Sequence, residues 1–373
     1  AVVSSTRERI TDAGLSAISA SLLPPGTVLF SSRATIGKIG IAAVPLATNQ
    51  GFANLIPSKA VLSKFLAYSL LYYREEISRL AGSTTFKEVR RGALKRFQIP
   101  LPPLSEQRRI VEILDQADAL RKKRAEADAK AARILPALFY KMFGDPATNP
   151  KGWRKGRVGD VVIETQYGTS VRASSVRDGV AVVRMNNIDV AGRLDLSELK
   201  YAVLPSAELT KYALRDGDVL FNRTNSKELV GKTGLWRGEV PAVAASYLIR
   251  VRVDEHVVRP AFLWAIMNTR FMKQLLLDKS RRAIGMANIN AQELRALPII
   301  IPPLALQQAF ELSLLQIERL ATDYSAARLA MERLFSGLLH RALTGDLTAR
   351  WRLAHMKELL AEMEAQARTL EAV

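Results

Sequence analysis

The chain repeats itself once, and that repeat limits what it can fold into more than any other feature. The first copy reads Pro25-Gly26-Thr27-Val28-Leu29-Phe30-Ser31-Ser32-Arg33, the second Asp216-Gly217-Asp218-Val219-Leu220-Phe221-Asn222-Arg223. Each reads as a glycine turn, a short buried strand and then polar, donor-rich residues. Further on, Phe65-Leu66-Ala67-Tyr68 and Phe262-Leu263-Trp264-Ala265 both open stretches of helical periodicity. Next come Ile99-Pro100-Leu101-Pro102-Pro103-Leu104 and Ile300-Ile301-Pro302-Pro303-Leu304, each leading into a long helix. The separation is 191 residues from Gly26 to Gly217 and 200 from Pro103 to Pro303, so the second copy is the longer. A solenoid needs about three or more repeats. Two copies fit a pair of pseudo-symmetric modules.

The helices after the prolines share a pattern. Ser105 is placed to cap the first, with apolar residues at Ile110, Ile113, Leu114, Ala117, Leu120, Ala127, Ala131, Ile134, Leu135 and Leu138. It is expected to run unbroken to Phe143, where Gly144 and Pro146 stop it, spanning about 55–60 Å at ~1.5 Å per residue. The second carries a heptad at Phe310, Ile317, Tyr324, Met331 and Leu338, with a companion row at Leu314, Ala321, Arg328 and Phe335. Two such stripes are expected to bury against each other; separate packing of each helix on its own module is the alternative. Residues Trp153 to Pro298 alternate short β-like runs with turns, as in Val180–Met185 and Tyr247–Val253. That is an α+β module. Residues 1–104 read as the latter part of the same fold, so the opening of the first module is expected to precede Ala1.

Charge narrows the partner. Lys and Arg number 54 against 36 Asp and Glu, a net charge of +18. Self-repulsion of that size is relieved by a polyanion, and nucleic acid leads because neutralising phosphates releases counterions. The run Arg121-Lys122-Lys123-Arg124 reads as a solvated helix face that can also meet phosphate. There is no cysteine, which excludes disulfides, thiolate zinc sites and cysteine nucleophiles. No apolar run approaches the ~20 residues of a membrane span.

Candidate catalytic motifs fall away one by one. Ser226-Lys227-Glu228-Leu229-Val230-Gly231-Lys232-Thr233 approximates a phosphate-binding loop, but Ser226 stands where its first glycine is needed. Asn149-Pro150-Lys151-Gly152 is not the catalytic tetrapeptide of a DNA adenine methyltransferase, and no glycine-rich cofactor loop accompanies it. His256, His340 and His355 are scattered singly. A strongly basic chain without such constellations points to a binding subunit.

The chain resembles the specificity (S) subunit of type I restriction–modification enzymes. The resemblance rests on Gly26–Gly37, on Ile99-Pro100-Leu101-Pro102-Pro103-Leu104-Ser105-Glu106-Gln107, on Met142-Phe143-Gly144-Asp145-Pro146, on Ile301-Pro302-Pro303-Leu304 with Gln307, and on Leu339–Leu347. It implies an α+β fold with two pseudo-symmetric α/β target recognition domains joined by two long antiparallel coiled-coil helices. The expected boundaries are 1–104 for an N-terminally incomplete first recognition domain, 105–143 for the first spacer helix, 144–304 for the second recognition domain, 305–345 for the second spacer helix, and 346–373 for a C-terminal amphipathic helix. That last helix, with Trp351, Leu353, Met356, Leu359, Leu360 and Met363 apolar, is expected to pack on the spacer helices or on a partner.

The resemblance further implies a non-catalytic, cytoplasmic DNA-binding subunit. It would read a bipartite double-stranded DNA target and carry two methyltransferase subunits, which methylate adenine; two restriction subunits can join. No cofactor is expected in this chain: S-adenosylmethionine, ATP and Mg2+ belong to the partners. The rivals are a stand-alone DNA-modifying enzyme, an orphaned DNA-binding or coiled-coil protein without methyltransferase partners, and a truncated S subunit that pairs with a second copy.

Arg reads guanine and Asn or Gln reads adenine by paired hydrogen bonds, while other donors hold phosphate. In the first module the candidates are Ser32, Arg33, Thr35, Lys38, Asn49, Gln50, Thr84 and Lys87. In the second they are Tyr167, Thr169, Ser170, Arg184, Asn186, Asn187, Arg223, Asn225, Lys227, Arg281 and Arg282. Arg33 and Arg223 both follow the repeated strand and are expected to occupy equivalent places.

Overall fold

Gly26 and Gly217 open the two repeated strands with φ of +89° and +86°. That left-handed backbone suits glycine, and it explains why the repeat is anchored on this residue type. The computed structural model describes all residues except 7, 18–20, 82–86, 227, 228, 230, 281–286 and 372–373, and only the backbone at 225, 280, 287 and 371. Residues 1–127 with 325–373 form one compact unit, residues 128–324 the other. The division falls inside the long helices, so each unit combines one globular module with adjoining helix segments.

The first unit begins with β1 (Val2–Val3), α1 (Asp12–Ala17), β2 (Val28–Ser31), β3 (Ile39–Ala42), β4 (Phe52–Leu55), α2 (Ser63–Tyr72), α3 (Arg74–Arg79), α4 (Arg91–Lys95) and most of α5 (Leu104–Ala131). Its strands form one sheet in the order β1-β3-β2-β4. The second unit holds α6 (Ile134–Phe143), β5 (Arg154–Arg157), β6 (Val162–Tyr167), β7 (Val180–Val183), β8 (Lys200–Ala202), α7 (Ser206–Tyr212), β9 (Val219–Asn222), β10 (Thr224–Asn225), β11 (Thr233–Leu235), β12 (Ala242–Ala244) and β13 (Leu248–Val253). It continues with α8 (Pro260–Met267), α9 (Arg270–Ser280), β14 (Ala287–Asn288), α10 (Ala291–Arg295), β15 (Pro298–Ile301) and the first half of α11 (Leu304–Leu343). The tail, α12 (Ala349–Ala354) and α13 (Met356–Glu371), belongs to the first unit. The α+β class expected from the sequence holds in both.

The repeat is a repeat of register. Phe30 lies opposite Ile39 and Ala53 in the first sheet; Phe221 lies opposite Thr233 and Ile249 in the second. Both phenylalanines are buried, because the repeated strand is central in each sheet. The outer strands set the modules apart, and β1 lines the edge of β3 while β11 is itself an edge. β6 covers the outer edge of β13, whereas β4 has no strand on its outer edge among the described residues. The second unit also holds a three-stranded sheet, β12-β7-β8, and two two-stranded ones, β10-β14 and β15-β5.

The proline–helix junctions are built alike around one buried glutamine. Gln107 donates to the carbonyls of Pro102 and Ala60 and accepts from the amide of Leu62. Gln307 donates to the carbonyls of Pro302 and Val257 and accepts from the amide of Arg259. Each satisfies three backbone groups where the helix start meets the loop before α2 or α8, and both side chains are fully buried.

The long helices depart from expectation in three ways. First, the helix foreseen from Ser105 to Phe143 is broken after Ala131 and resumes at Ile134. Pro136 is the cause: it has no N–H for the Ala132 carbonyl, and its ring crowds that carbonyl. Second, Ser105 is not the cap. The helix starts at Leu104, and the amide and hydroxyl of Ser105 both donate to Glu362 of the tail, the hydroxyl at 2.8 Å. Third, the heptad of α11 is buried only towards its ends, at Phe310 and Leu314 in one unit and at Phe335 in the other, with Leu338 half-buried. Between them Ala321, Tyr324 and Arg328 are exposed, so the seam is not continuous.

In the second unit Phe139 and Phe143 pack on Phe262 and Phe310 with ring centroids 4.8–6.0 Å apart. In the first, Arg121 lies over Phe335 and pairs with Glu332, while Glu106 pairs with Arg352. This order, with 121 beside 332 and 106 beside 352, is antiparallel. Much of the Arg121–Arg124 run is therefore neutralised within the chain, Lys122 by Asp118. The tail packs on the start of α5, where Gln366 donates to the same Ala60 and Pro102 carbonyls as Gln107. It is two helices rather than one, divided at His355.

Candidate nucleic-acid interface

In the second unit three strand ends are tied to one short segment, Ala244–Leu248, that joins β12 to β13. The Ala245 amide donates to Val183 at the end of β7, and the Thr169 amide, just past β6, donates to Ala244. The Arg223 amide, just past β9, donates to Tyr247, and the amides of Ser246 and Gly168 donate to Thr169 and Leu248. Gly168 is needed here, because any Cβ would collide with the carbonyls of Ala244 and Ala245. The strand ends thus present Tyr167, Ser170, Arg184 and Arg223 from one rigid frame.

Arg223 is the side chain this frame holds most firmly. Its backbone donates to Tyr247 and accepts from Ile289 at 3.0 and 2.9 Å. Its guanidinium carbon lies 4.8 Å from the centroid of the Tyr167 ring. The Tyr167 hydroxyl accepts in turn from the Ala291 amide at the start of α10. Tyr247 beside it is exposed.

The other candidates divide by role. Ser170 and Asn186 are exposed. Thr169 is buried and accepts from the Val171 amide. Asn187 is buried and ties a turn, accepting from the Arg184 amide and donating to the Asp195 carbonyl. Arg184 donates to the Glu198 carbonyl. Thr169 and Asn187 are therefore committed to the fold and not available to bases. Asn225 is described in backbone only, and Lys227, Arg281 and Arg282 lie outside the described residues.

In the first unit the candidates gather around the end of β2. Ser32 donates to the Gly51 carbonyl and is buried. Thr35, Lys38, Asn49, Gln50 and Lys87 are exposed, although Asn49 also accepts from the Gly51 amide. Thr84 lies outside the described residues.

Arg33 does not occupy the place of Arg223. The Ser32 amide donates to Gly51 and its carbonyl accepts from Val89, as those of Arg223 do with Tyr247 and Ile289. Ser32 is the equivalent residue, and Arg33 matches Thr224. Arg33 bridges Glu88, as Thr224 bonds the matching Asn288. The 191-residue separation of Gly26 and Gly217 already pairs Ser32 with Arg223, so matching the two arginines was one residue out of step, and a one-residue shift along an extended chain turns a side chain to the opposite face. Glu88 also holds the Arg33 guanidinium above its ordinary pKa, by hydrogen bond and by charge.

The sequence reading missed Tyr247, Asn288 and the Ala291 amide. It also missed Arg172 and Arg177, exposed on the loop after Ser170. An aromatic opening a strand was a visible signal for Tyr247; contacts to backbone amides leave none.

The last residues of the segment that approximates a phosphate site, Gly231–Thr233, are buried. Lys232 donates to the carbonyls of Met185 and Ile188, and Lys273 of α9 donates to Gly231. Burial, and then the charge of Lys232, push Lys273 down to about 8, against the opposing pull of Asp189. An unfolded lysine titrates near ~10.4. Between these values only the unfolded chain holds the proton, so stability rises with pH; the cost is fully present below the folded value. The thermal midpoint of the parent is expected to rise relative to Lys273→Met as pH goes from about 7.5 to 10. Parallel profiles for the two proteins would contradict this.

The comparisons with known proteins agree on one family. The model of the type I restriction modification DNA specificity domain matches residues 3–128. The type I restriction enzyme MjaIX specificity subunit of Methanocaldococcus jannaschii is 33% identical over 177 residues, covering 43% of this chain and 41% of that protein. The EcoKI specificity subunit of Escherichia coli K12 is 23% identical over 367 residues, covering 92% of this chain and 78% of that protein. The chain thus spans less than half of the first relative and about three quarters of the second. Among solved structures, the type I S subunit from M. genitalium matches with a TM-score of 0.55 at 12% identity, covering 87% of this chain and 84% of that one. A chain described in work on complex assembly and conformational transition of the type I R-M system matches with 0.54 at 18%, covering 88% and 84%. These two share the fold.

Proposed function

Because the chain belongs to the specificity-subunit family of type I restriction–modification systems, whose members are non-catalytic components of the complex, we propose that it is the DNA-reading subunit of such an enzyme. Each module reads one half of a bipartite duplex target. The helices between them carry two adenine methyltransferase subunits, and restriction subunits can join the assembly in the cytoplasm. S-adenosylmethionine, ATP and Mg2+ belong to those partners.

The observation that supports this reading best is the frame around Ala244–Leu248, which sets a half-buried arginine and exposed polar side chains at converging strand ends. The net charge of +18 supplies the sequence-independent attraction to phosphate. No described helix is long and apolar enough to cross a membrane.

Two measurements test the proposal. The tagged chain, recovered from its own cells at low salt, is expected to bring down an adenine methyltransferase; a chain that repeatedly comes down alone contradicts the scaffold role. Its affinity for duplex DNA is expected to fall steeply with salt, by about 10³-fold or more between ~50 and ~200 mM if six or more phosphates are neutralised. Salt-independent binding, or none, contradicts the DNA-reading role.

A further inference from the structure

We infer that Arg223, stacked on Tyr167, is a guanine-reading site of the second module, so that one half of the target contains a guanine fixed by this residue. The inference rests on the DNA-reading function proposed above and deepens it.

Arg223 stands apart from other partly buried arginines among the described residues: Arg184 and Arg295 donate to the carbonyls of Glu198 and Gly159, and Arg121 pairs with Asp118 and Glu332. Arg250 and Arg252 pair with Glu164, and Arg252 also with Asp218. Arg259 pairs with Glu255 and Glu311, Arg237 with Glu318, and Arg352 with Glu106. Among the described residues the guanidinium of Arg223 has no carboxylate and no hydrogen-bond acceptor, and its Nε is buried without a partner. Its guanidinium lies over the face of Tyr167. A half-buried cation whose Nε is shielded from water without an acceptor carries a desolvation cost. An acceptor pair supplied by a ligand removes that cost.

The mounting makes the guanidinium selective as well as reactive towards an acceptor. Tyr167 is fixed through its hydroxyl by the Ala291 amide, and Arg223 is fixed through its backbone by Tyr247 and Ile289. Lying over the Tyr167 ring restricts the fork before any ligand arrives, so less freedom is lost on binding. A planar fork with two parallel donors matches two adjacent acceptors. Guanine offers O6 and N7 on its major-groove edge; adenine offers N7 beside an amino donor, which would face an arginine N–H. A phosphate also accepts two hydrogen bonds, but it carries no sequence information.

The first module has no such reader at the matching position. Ser32 stands there, buried and bonded to Gly51, while Arg33 points the other way into Glu88. The guanine dependence therefore belongs to one half-site only.

The test is selection of bound duplexes from a randomised library by the full chain, in complex with any methyltransferase that co-purifies. The parent is expected to enrich a motif with an invariant guanine in one half. Arg223→Ala is expected to lose about tenfold to a hundredfold of the preference at that base while the other positions persist, and Tyr167→Leu to relax the same base in part. With the parent protein, replacing that guanine by 7-deazaguanine, which lacks N7, is expected to weaken binding there, and this arm needs no variant to fold. An unchanged motif in Arg223→Ala, equal weakening on every sequence, or indifference to the missing N7 would each overturn the assignment and leave the DNA-reading function standing. A parent that enriches no sequence would overturn that function itself, and this inference with it.

Discussion

Replacing Asp218 by alanine is expected to destabilise the second unit by about 3–5 kcal/mol, because it breaks a buried charge network rather than a surface pair. Asp218 is 1% exposed. Its carboxylate accepts from Arg252 Nε at 2.8 Å, from Arg252 Nη2 at 3.3 Å and from the Arg215 amide at 2.8 Å. Arg252 also reaches Glu164, which is shared with the buried Arg250. Burial alone would push the Glu164 carboxyl up; Arg250 and then Arg252 more than offset this and hold it below the usual range. Without Asp218, two cations share one carboxylate across β6 and β13, and the Arg215 N–H has no acceptor. Urea unfolding followed by tryptophan fluorescence reports on this unit, which contains Trp153, Trp236 and Trp264. Asp218→Asn, which keeps an acceptor but not the charge, should fall between parent and alanine. A loss below about 1 kcal/mol, the range of an exposed pair, would contradict the network.

Gln307→Leu is expected to cost about 2–4 kcal/mol despite the similar volume, since three backbone groups lose their partner at once. The Arg259 amide and the Pro302 carbonyl each lose a 2.8 Å bond, and the Val257 carbonyl loses a 3.3 Å bond. Gln107→Leu should cost less. In the first unit Gln366 donates to the same Ala60 and Pro102 carbonyls, at 3.0 and 3.3 Å, so only the Leu62 amide is left without an acceptor. Measured side by side, a larger loss for Gln107→Leu than for Gln307→Leu would show that the tail does not share this role.

Much of this fold was legible because it rests on residues with few substitutes. The glycines at 26 and 217 mark positive φ, and the paired prolines mark the helix starts. What the sequence concealed were contacts between distant segments. Ser105 looks like a helix cap until Glu362, 257 residues away, takes its hydroxyl. The Arg33–Arg223 match failed because it was one residue out of step with the 191-residue separation of Gly26 and Gly217, which pairs Ser32 with Arg223. Pro136 was in plain view; its effect on the Ala132 carbonyl was underweighted against an attractive apolar periodicity. The heptad of α11 was real as a pattern, yet burial also requires a surface opposite each position, and Ala321, Tyr324 and Arg328 remain exposed. Within the interface, Arg223 and Tyr167 could be named from composition and place. Their stacking, and the commitment of Thr169 and Asn187 to the fold, could not.

The central claim is that this chain supplies the sequence reading for an adenine methyltransferase. Comparing genome-wide adenine methylation in cells that carry the chain and in cells from which it has been deleted tests that most directly. The account requires a motif of two defined halves separated by a fixed gap, methylated only when the chain is present. Identical methylation with and without the chain would contradict it.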